Sequence, residues 1–181
     1  MTSEPAPTVH TVVTPPPRIA VLTISDSVAS GRRTDASGAA ITAWIAGRSA
    51  TLVAHDTVQD GTDAVVAALL VLADRADVDV ILTTGGTGLT ARDVTPEATR
   101  VVIDRDVPGI AERLRAVGAA HTPNAAISRG VAGTRGSTLI VNLPGSPGGV
   151  RDGLVVLADV IDHAVQLLRG EDTESHDPPH G

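Results

Sequence analysis

The stretch Val78-Asp79-Val80-Ile81-Leu82-Thr83 is a short apolar run rich in β-branched residues, and Thr84-Gly85-Gly86-Thr87-Gly88 follows it directly. The first segment predicts a buried strand, and the second predicts a loop whose backbone can approach a ligand closely. Thr95-Pro96-Glu97 then predicts a helix start, with the threonine as N-cap and the proline at the first helical position. A buried strand, a glycine loop and a helix in this order are typical of the βαβ units that build parallel sheets.

Two more apolar runs show the same order of strand and polar loop. Arg18 to Ile24 leads into a polar segment, and Thr138 to Leu143 leads into Pro144 to Gly149. A further strand is predicted within Ala50 to Val58. We therefore predict an α/β fold, a doubly wound and mostly parallel sheet with helices on both faces, in a single domain over residues 18–170.

The segments at either end of this alternating pattern differ in composition. Periodic apolar residues after the last loop predict one closing helix that begins near Pro147, with Ser146 as its cap, and ends at Gly170. Residues 1–17 contain five prolines, and residues 171–181 are rich in carboxylates. Both ends are predicted to be disordered tails.

Composition excludes several classes of chemistry. The 181 residues suit one buried core, and their formal net charge is −7. Every one of the 14 basic residues is an arginine, and Cys and Tyr are absent, which excludes a P-loop lysine, a Schiff base, thiol catalysis and thiolate zinc sites. The acidic balance and the single aromatic residue, Trp44, argue against nucleic-acid binding.

The sequence also carries expectations about location. No stretch approaches the roughly 18 apolar residues of a membrane-spanning helix, so no membrane contact is expected. Residues 1–17 lack the charged and apolar regions of a signal peptide, and we therefore expect a cytoplasmic protein.

The polar loops after the three strands are candidates for one shared site. Loops that leave the carboxyl ends of parallel strands gather at one edge of the sheet, where α/β proteins bind ligands. The glycines of Thr84 to Gly88 can form a nest of N–H groups for phosphate oxygens. The alternative is that all three loops are ordinary turns between a strand and a helix. Gly86 to Ala91 also matches the dinucleotide fingerprint, but the helix starts too late for it, so a dehydrogenase of the Rossmann type is a weaker alternative.

Two carboxylates accompany the predicted phosphate loop. Asp93 lies at the exit of that loop, and Asp60 opens the preceding helix at the same edge of the sheet. A carboxylate beside a phosphate repels it unless a cation lies between them, so this pairing predicts Mg²⁺. Two carboxylates and a phosphate nest fit metal-assisted phosphoryl or nucleotidyl transfer. The alternative reading makes Asp60 a turn residue and Asp93 a charge at a helix N-terminus.

At these loops the chain resembles a known family. Thr83 to Gly88, followed by Arg92-Asp93-Val94-Thr95-Pro96-Glu97-Ala98-Thr99, is similar to the signature of the MogA/MoaB family of molybdenum cofactor biosynthesis proteins. Thr23 to Ser27 resembles the first loop of that family, and Asn142 to Pro147 resembles its last loop. The similarity extends over essentially the whole domain.

The resemblance implies a homotrimer that binds molybdopterin and ATP. It implies Mg-ATP-dependent adenylylation of molybdopterin, with release of pyrophosphate and hand-over of the product to a molybdenum insertase. By motif, the functional carboxylates of the family fall on Asp60 and Asp93, which are therefore the predicted catalytic and Mg²⁺-binding residues. The alternative is a molybdopterin-binding module or paralogue without transferase activity. The predicted substrate- and nucleotide-binding residues are Ser25, Asp26, Thr84, Gly85, Gly86, Thr87, Gly88, Pro144, Gly145, Ser146 and Pro147.

Overall fold

The computed structural model describes residues 15–171. The two predicted tails lie outside the described residues, except for Pro15 to Pro17 and Glu171. Pro17 is buried, and its carbonyl oxygen accepts a hydrogen bond from the backbone N–H of Thr51 at 2.8 Å. These last residues of the predicted tail therefore contact the domain.

Six strands form one mixed sheet in the order β2-β1-β3-β6-β5-β4. The first four strands in this order are parallel, and the last two continue the sheet in antiparallel fashion. The strands are β1 Arg18–Ile24, β2 Thr51–Val58, β3 Val80–Thr84, β4 Arg105–Asp106, β5 Ala132–Arg135 and β6 Thr138–Leu143.

Helices cover both faces of the sheet, because the central strands are apolar on both sides. Side chains such as Ile19 and Val21 point to one face and pack under α2, α5, α6 and α7, whereas Ala20 and Leu22 point to the other and pack under α3 and α4. The predicted α/β fold is thus confirmed. The helices are α1 Asp26–Ala29, α2 Ala36–Ala46, α3 Thr62–Ala73, α4 Thr95–Val102, α5 Pro108–Ala119, α6 Pro147–Ala158 and α7 Ile161–Leu168, with a 3₁₀ helix at Pro123–Ile127.

The closing segment is two helices and not the single helix predicted. Leu157 and Ile161, on either side of the break, are both buried in the same core, so their spacing is that of a continuous helix and gives no sign of the interruption. Ser146 is the N-cap of α6, as predicted, and its Oγ accepts a hydrogen bond from the N–H of Gly149 at 3.2 Å. Within residues 15–171, no helix has the length and apolar character needed to cross a bilayer.

A buried carboxylate joins the two ends of the described chain. Asp79, 4% exposed, accepts hydrogen bonds from the side chains of Arg18 at the start of β1 and Arg169 after α7. The Arg169 guanidinium also donates to the carbonyl oxygens of Pro15 and Pro16. Burial raises the pKa of the Asp79 carboxyl, but the hydrogen bonds from the two arginines outweigh it and hold that pKa well below its usual value of 3.8.

We expect Asp79→Asn to lower the free energy of unfolding by about 3 kcal/mol at pH 7, because both arginines lose their charged partner. A carboxyl whose pKa is lower in the folded state contributes stability above its unfolded pKa and loses it as the pH falls further. The difference between variant and wild type should therefore be full above about pH 5 and shrink below pH 4. Urea denaturation of both proteins at several pH values measures it, and a pH-independent difference would contradict this assignment.

Candidate functional site

Three loops meet at the carboxyl edge of the parallel strands. Thr84, the last residue of β3, is paired with Thr23 of β1 on one side and with Leu143 of β6 on the other. The chain leaves β1 toward β2 on one side and later returns to β3 on the other, so the edge between β1 and β3 is the topological switch point of the sheet. Ligands of open α/β sheets bind at such a point.

The glycine loop requires its glycines. Gly85 and Gly86 have φ values of +100° and +64°, which L side chains rarely adopt. A Cβ on Gly85 would lie 2.3 Å from the carbonyl oxygen of Ile24, and a Cβ on Gly86 would lie 2.3 Å from Oγ1 of Thr95. The loop after β6 also packs closely against this loop, since a Cβ on Gly145 would lie 3.1 Å from the Cα of Gly85. The two loops therefore pack backbone against backbone.

Hydroxyl groups hold the carbonyl oxygens of these loops. Thr84 donates to Pro144 at 2.7 Å, and Ser37 of α2 donates to Gly145 at 2.7 Å. Thr95 donates to Gly85 at 2.8 Å. The prediction that Thr95 is the N-cap of α4 is wrong, because it is the first residue inside that helix and its fully buried hydroxyl bonds to the glycine loop instead. These bonds fix the peptide planes of both loops.

A cavity of about 200 Å³, which we call the switch-point cavity, lies over this edge. Asp60 stands at its rim, beside Asp26 at the start of α1. The two residues bond reciprocally: Asp60 Oδ2 accepts from the N–H of Asp26 at 2.9 Å, and Asp26 Oδ1 accepts from the N–H of Asp60 at 3.1 Å. The loops after β1 and β2 are thereby joined. The predicted site residues among its lining are Ser25, Asp60, Thr84, Gly85, Gly86 and Gly145.

One exposed cation serves both of these carboxylates. Arg92 Nη2 lies 2.7 Å from Asp26 Oδ2 and 3.3 Å from Asp60 Oδ2. Mg²⁺ is usually bound by one or two carboxylates together with substrate phosphates. Asp26 and Asp60 fit that description, because the two carboxylates converge and already pair with one cation. Among residues 15–171, no group of three or more His, Cys, Asp or Glu side chains could hold a metal ion, so further ligands would come from the substrate phosphates.

Asp93 is placed differently from Asp60. Its Oδ2 accepts hydrogen bonds from the N–H of Thr90 at 2.8 Å and from the hydroxyl of Thr90 at 2.7 Å. Burial raises the pKa of this carboxyl, but the bonds from Thr90 and from the N–H of Gly88 outweigh that effect, and the net pKa is lowered. The Asp93 carboxylate is therefore bonded to the backbone and hydroxyl at the exit of the glycine loop, whereas Asp60 lines the switch-point cavity. That both carboxylates bind Mg²⁺ stays a prediction.

Arg129 is a site residue that the sequence analysis missed. Its Nε donates to the carbonyl oxygen of Gly88 at 2.7 Å, and its Nη2 donates to the carbonyl oxygen of Asp93. Its backbone N–H donates to Thr87, and its Nη1 pairs with Glu97 of α4. One guanidinium therefore joins Gly88, the last residue of the glycine loop, to Asp93 at its exit. Arg129 lies 36 residues from Asp93 in a segment without a motif, so only the fold reveals this role.

We expect Arg129→Ala to weaken Mg-ATP binding roughly tenfold, because the glycine loop loses its bridge. Arg129→Lys should restore only part of the affinity, since one ammonium group replaces a fork of donors. The matched control is Arg113→Ala, whose guanidinium pairs with exposed Asp159 and whose removal should be nearly neutral. Calorimetric titration with Mg-ATP measures the effect, and equal affinities in all four proteins would show that the bridge does not support binding.

A second cavity lies on the other side of the two loops. It encloses about 250 Å³ between α5, the 3₁₀ helix and α6, and we call it the α5–α6 cavity. The predicted binding residues are thus divided, because Thr87, Gly88, Pro144 and Ser146 line this second cavity. The remaining two predicted binding residues line neither cavity. Pro147 is the first residue of α6, and Asp26 lies beside the switch-point cavity, bonded to Asp60 and Arg92.

Comparison with known proteins supports a single family. Residues 20–163 match the model of a probable molybdopterin binding domain. A molybdopterin adenylyltransferase of Helicobacter pylori is 36% identical over 154 residues, covering 84% of this chain and 88% of that protein. The Drosophila melanogaster molybdenum cofactor synthesis protein cinnamon is 40% identical over 84% of this chain, which spans only 25% of that longer protein.

A solved structure shows the same fold. The molybdopterin biosynthesis enzyme MoaB from Thermus thermophilus superposes with a TM-score of 0.79 at 49% identity, over 84% of this chain and 96% of that one. The sheet order, the glycine loop at the switch point and these similarities agree with one another. The chain therefore belongs to the molybdopterin-binding family of molybdenum cofactor biosynthesis proteins.

Proposed function

We propose that this protein transfers the adenylyl group of Mg-ATP to molybdopterin. The observation that carries the proposal is the packing of two glycine loops at the switch point, directly beside the paired carboxylates of Asp26 and Asp60. In the reaction, a phosphate oxygen of molybdopterin attacks the α-phosphorus of ATP. The P–O bond to the leaving pyrophosphate breaks, and adenylyl-molybdopterin and pyrophosphate are the products.

The roles of the residues follow from their placement. Gly85, Gly86 and Gly145 allow the backbone to approach the phosphates, and the hydroxyls of Thr84 and Thr95 keep that backbone in one conformation. The nucleophile is already an anion, so no general base is needed, and positioning and electrostatics carry the rate.

Asp60, with Asp26, is proposed to hold Mg²⁺. When bound, Mg²⁺ offsets negative charge on the α-phosphate and on the leaving pyrophosphate. Arg92 is 69% exposed in its side chain, so it can move away from the carboxylates toward a phosphate when the site fills. Asp93, the other predicted Mg²⁺ ligand, accepts hydrogen bonds from Thr90 at the exit of the glycine loop, and it is proposed to act on the same step from there.

Turnover tests the function directly. Purified protein with Mg-ATP and molybdopterin should release pyrophosphate and form adenylyl-molybdopterin, detected by chromatography, only when all three components are present. Binding of molybdopterin without any adenylylation would favour the alternative, a molybdopterin-binding paralogue without transferase activity.

We also propose that the protein is a cytoplasmic homotrimer that passes its product to a molybdenum insertase. Support comes from the family to which the chain belongs. Light scattering at micromolar concentration should give three times the chain mass of 18.3 kDa. A mass of one chain under those conditions would refute the trimer.

A further inference from the structure

The guanidinium of Arg92 lies where a metal ion shared by the paired carboxylates would lie. Its Nη2 atom is 2.7 Å from Oδ2 of Asp26 and 3.3 Å from Oδ2 of Asp60, so one nitrogen contacts both of these oxygens. Mg²⁺ binds carboxylate oxygens still more closely, at about 2.1 Å. The arginine nitrogen and a metal ion therefore exclude each other from the space between the two oxygens.

The two carboxylates need a positive charge when no ligand is bound. The Asp60 side chain is only 13% exposed and that of Asp26 is 33% exposed, and each accepts the backbone N–H of the other residue. Two ionised carboxylates that converge on one point repel each other, and partial burial weakens the screening by water. Arg92 supplies the charge that offsets this repulsion.

The side chain of Arg92 extends from a turn whose backbone is held in place. The N–H and the hydroxyl of Thr90 donate to the Asp93 carboxylate, and the N–H of Asp93 donates back to the carbonyl oxygen of Thr90 at 3.0 Å. Arg129 also donates to the carbonyl oxygen of Asp93. The backbone on either side of Arg92 is thus fixed, whereas its own side chain is 69% exposed and can change rotamer rapidly.

The phosphates of a nucleotide offer Arg92 a second set of partners. The turn that carries Arg92 comes just after the glycine loop in the chain, and Gly85 and Gly86 of that loop line the switch-point cavity. A guanidinium binds phosphate oxygens through the same paired N–H groups that bind carboxylates. A nucleotide in this cavity therefore competes with Asp26 and Asp60 for Arg92.

We propose that Arg92 is an exchangeable counter-ion, which occupies the divalent-cation position between Asp26 and Asp60 in the free protein and turns to the nucleotide phosphates when the metal binds. This inference rests on the proposed function, because it concerns the metal and the nucleotide of that reaction. The exchange couples the two ligands. Metal alone has to displace Arg92, whereas metal and nucleotide together provide partners for both the carboxylates and the arginine.

Binding of Mn²⁺ without nucleotide tests the first half of the exchange. Mn²⁺ takes the same oxygen ligands as Mg²⁺, and electron paramagnetic resonance measures its unbound fraction. Arg92→Gln should bind Mn²⁺ roughly tenfold more tightly than wild type, because the competing charge is gone. Arg92→Lys keeps a positive charge and should bind Mn²⁺ nearly as weakly as wild type. Adding Asp60→Asn to Arg92→Gln should remove the gain.

Binding of ATP without metal tests the second half. In excess EDTA, Arg92→Gln should bind ATP at least about fivefold more weakly than wild type, measured by calorimetric titration. The variant lacks the arginine that would contact the phosphates, and its two carboxylates repel them. A structural role of Arg92 alone would not strengthen the binding of one ligand while it weakens the binding of the other.

Arg75→Gln is the matched control. It removes the same charge and also breaks a pair between an arginine and a carboxylate, here Asp77, but neither residue lines the switch-point cavity. It should match wild type in both titrations. The proposal is overturned if Arg92→Gln does not bind Mn²⁺ more tightly than wild type, if Arg75→Gln shows an equal gain, if the gain survives Asp60→Asn, or if Arg92→Gln keeps the wild-type affinity for ATP.

The outcome can be separated from that of the proposed function, since neither titration contains molybdopterin. A protein that adenylylates molybdopterin but binds Mn²⁺ independently of Arg92 leaves the function standing and refutes the exchange. A protein that shows the exchange without any adenylylation refutes the transfer reaction and keeps the role of Arg92.

Discussion

Asp60→Asn is expected to lower the single-turnover rate of adenylylation roughly a hundredfold or more, with little loss of stability. The substitution keeps an oxygen that can accept the N–H of Asp26, so the loops after β1 and β2 stay joined. It removes the negative charge that faces the switch-point cavity beside Arg92. The groups that neutralise the reacting phosphates are then mispositioned, and losing such a group commonly costs a few kcal/mol of transition-state stabilisation.

The rate is measured at saturating Mg-ATP and molybdopterin, so that weaker binding does not hide a chemical effect. The matched control is Asp63→Asn, a carboxylate in the first turn of α3 that does not line the cavity. It should retain the wild-type rate. A wild-type rate in Asp60→Asn would remove this carboxylate from the mechanism and leave the glycine loop as the remaining support for the site.

Gly86→Val is expected to abolish measurable Mg-ATP binding. Valine resists the φ of +64° at this position, and its Cβ would meet the hydroxyl of Thr95 at 2.3 Å. The loop must move away from α4, and the hydrogen bond from Thr95 to Gly85 is disturbed with it. The backbone then no longer approaches the phosphates.

Gly136→Val separates the cost of the backbone conformation from the loss of the site. Gly136 has a similar φ of +53° in the turn between β5 and β6, and a Cβ added there would meet nothing within 4 Å. Both variants should lose about 1–2 kcal/mol of stability for the positive φ. Calorimetric titration should show normal ATP affinity in Gly136→Val, and unchanged affinity in a folded Gly86→Val protein would make the loop an ordinary turn.

Much of the framework was predictable because local patterns encode it. The bounds of β1 agree with the prediction, and the apolar run before the glycine loop is β3. Nearly every position of these strands is buried, so most of them carry apolar side chains and the threonines lie at their carboxyl ends. The antiparallel edge was not predicted. Ala132–Arg135 lacks a strong strand pattern, and its place in the sheet comes from pairing with β6.

The site was predictable only in part. The glycine loop, Ser146 as a cap and the presence of Asp60 at the shared edge all follow from short stretches of chain, in which one residue's neighbours determine its conformation. Thr95 shows the limit of that reasoning. A threonine before a proline predicts an N-cap, but the hydroxyl of Thr95 donates instead to the carbonyl oxygen of Gly85, ten residues earlier in the chain.

The local sequence therefore sets the parallel strands, the glycine loop and their order along the chain, because hydrophobic spacing and backbone freedom act over a few residues. The folded chain alone sets the partners of two charges at the site: Arg92 pairs with Asp26 and Asp60, and Arg129 donates to the carbonyl oxygen of Gly88. Those contacts join residues that are distant along the chain. Their distances depend on how the sheet and helices pack, which no local pattern encodes.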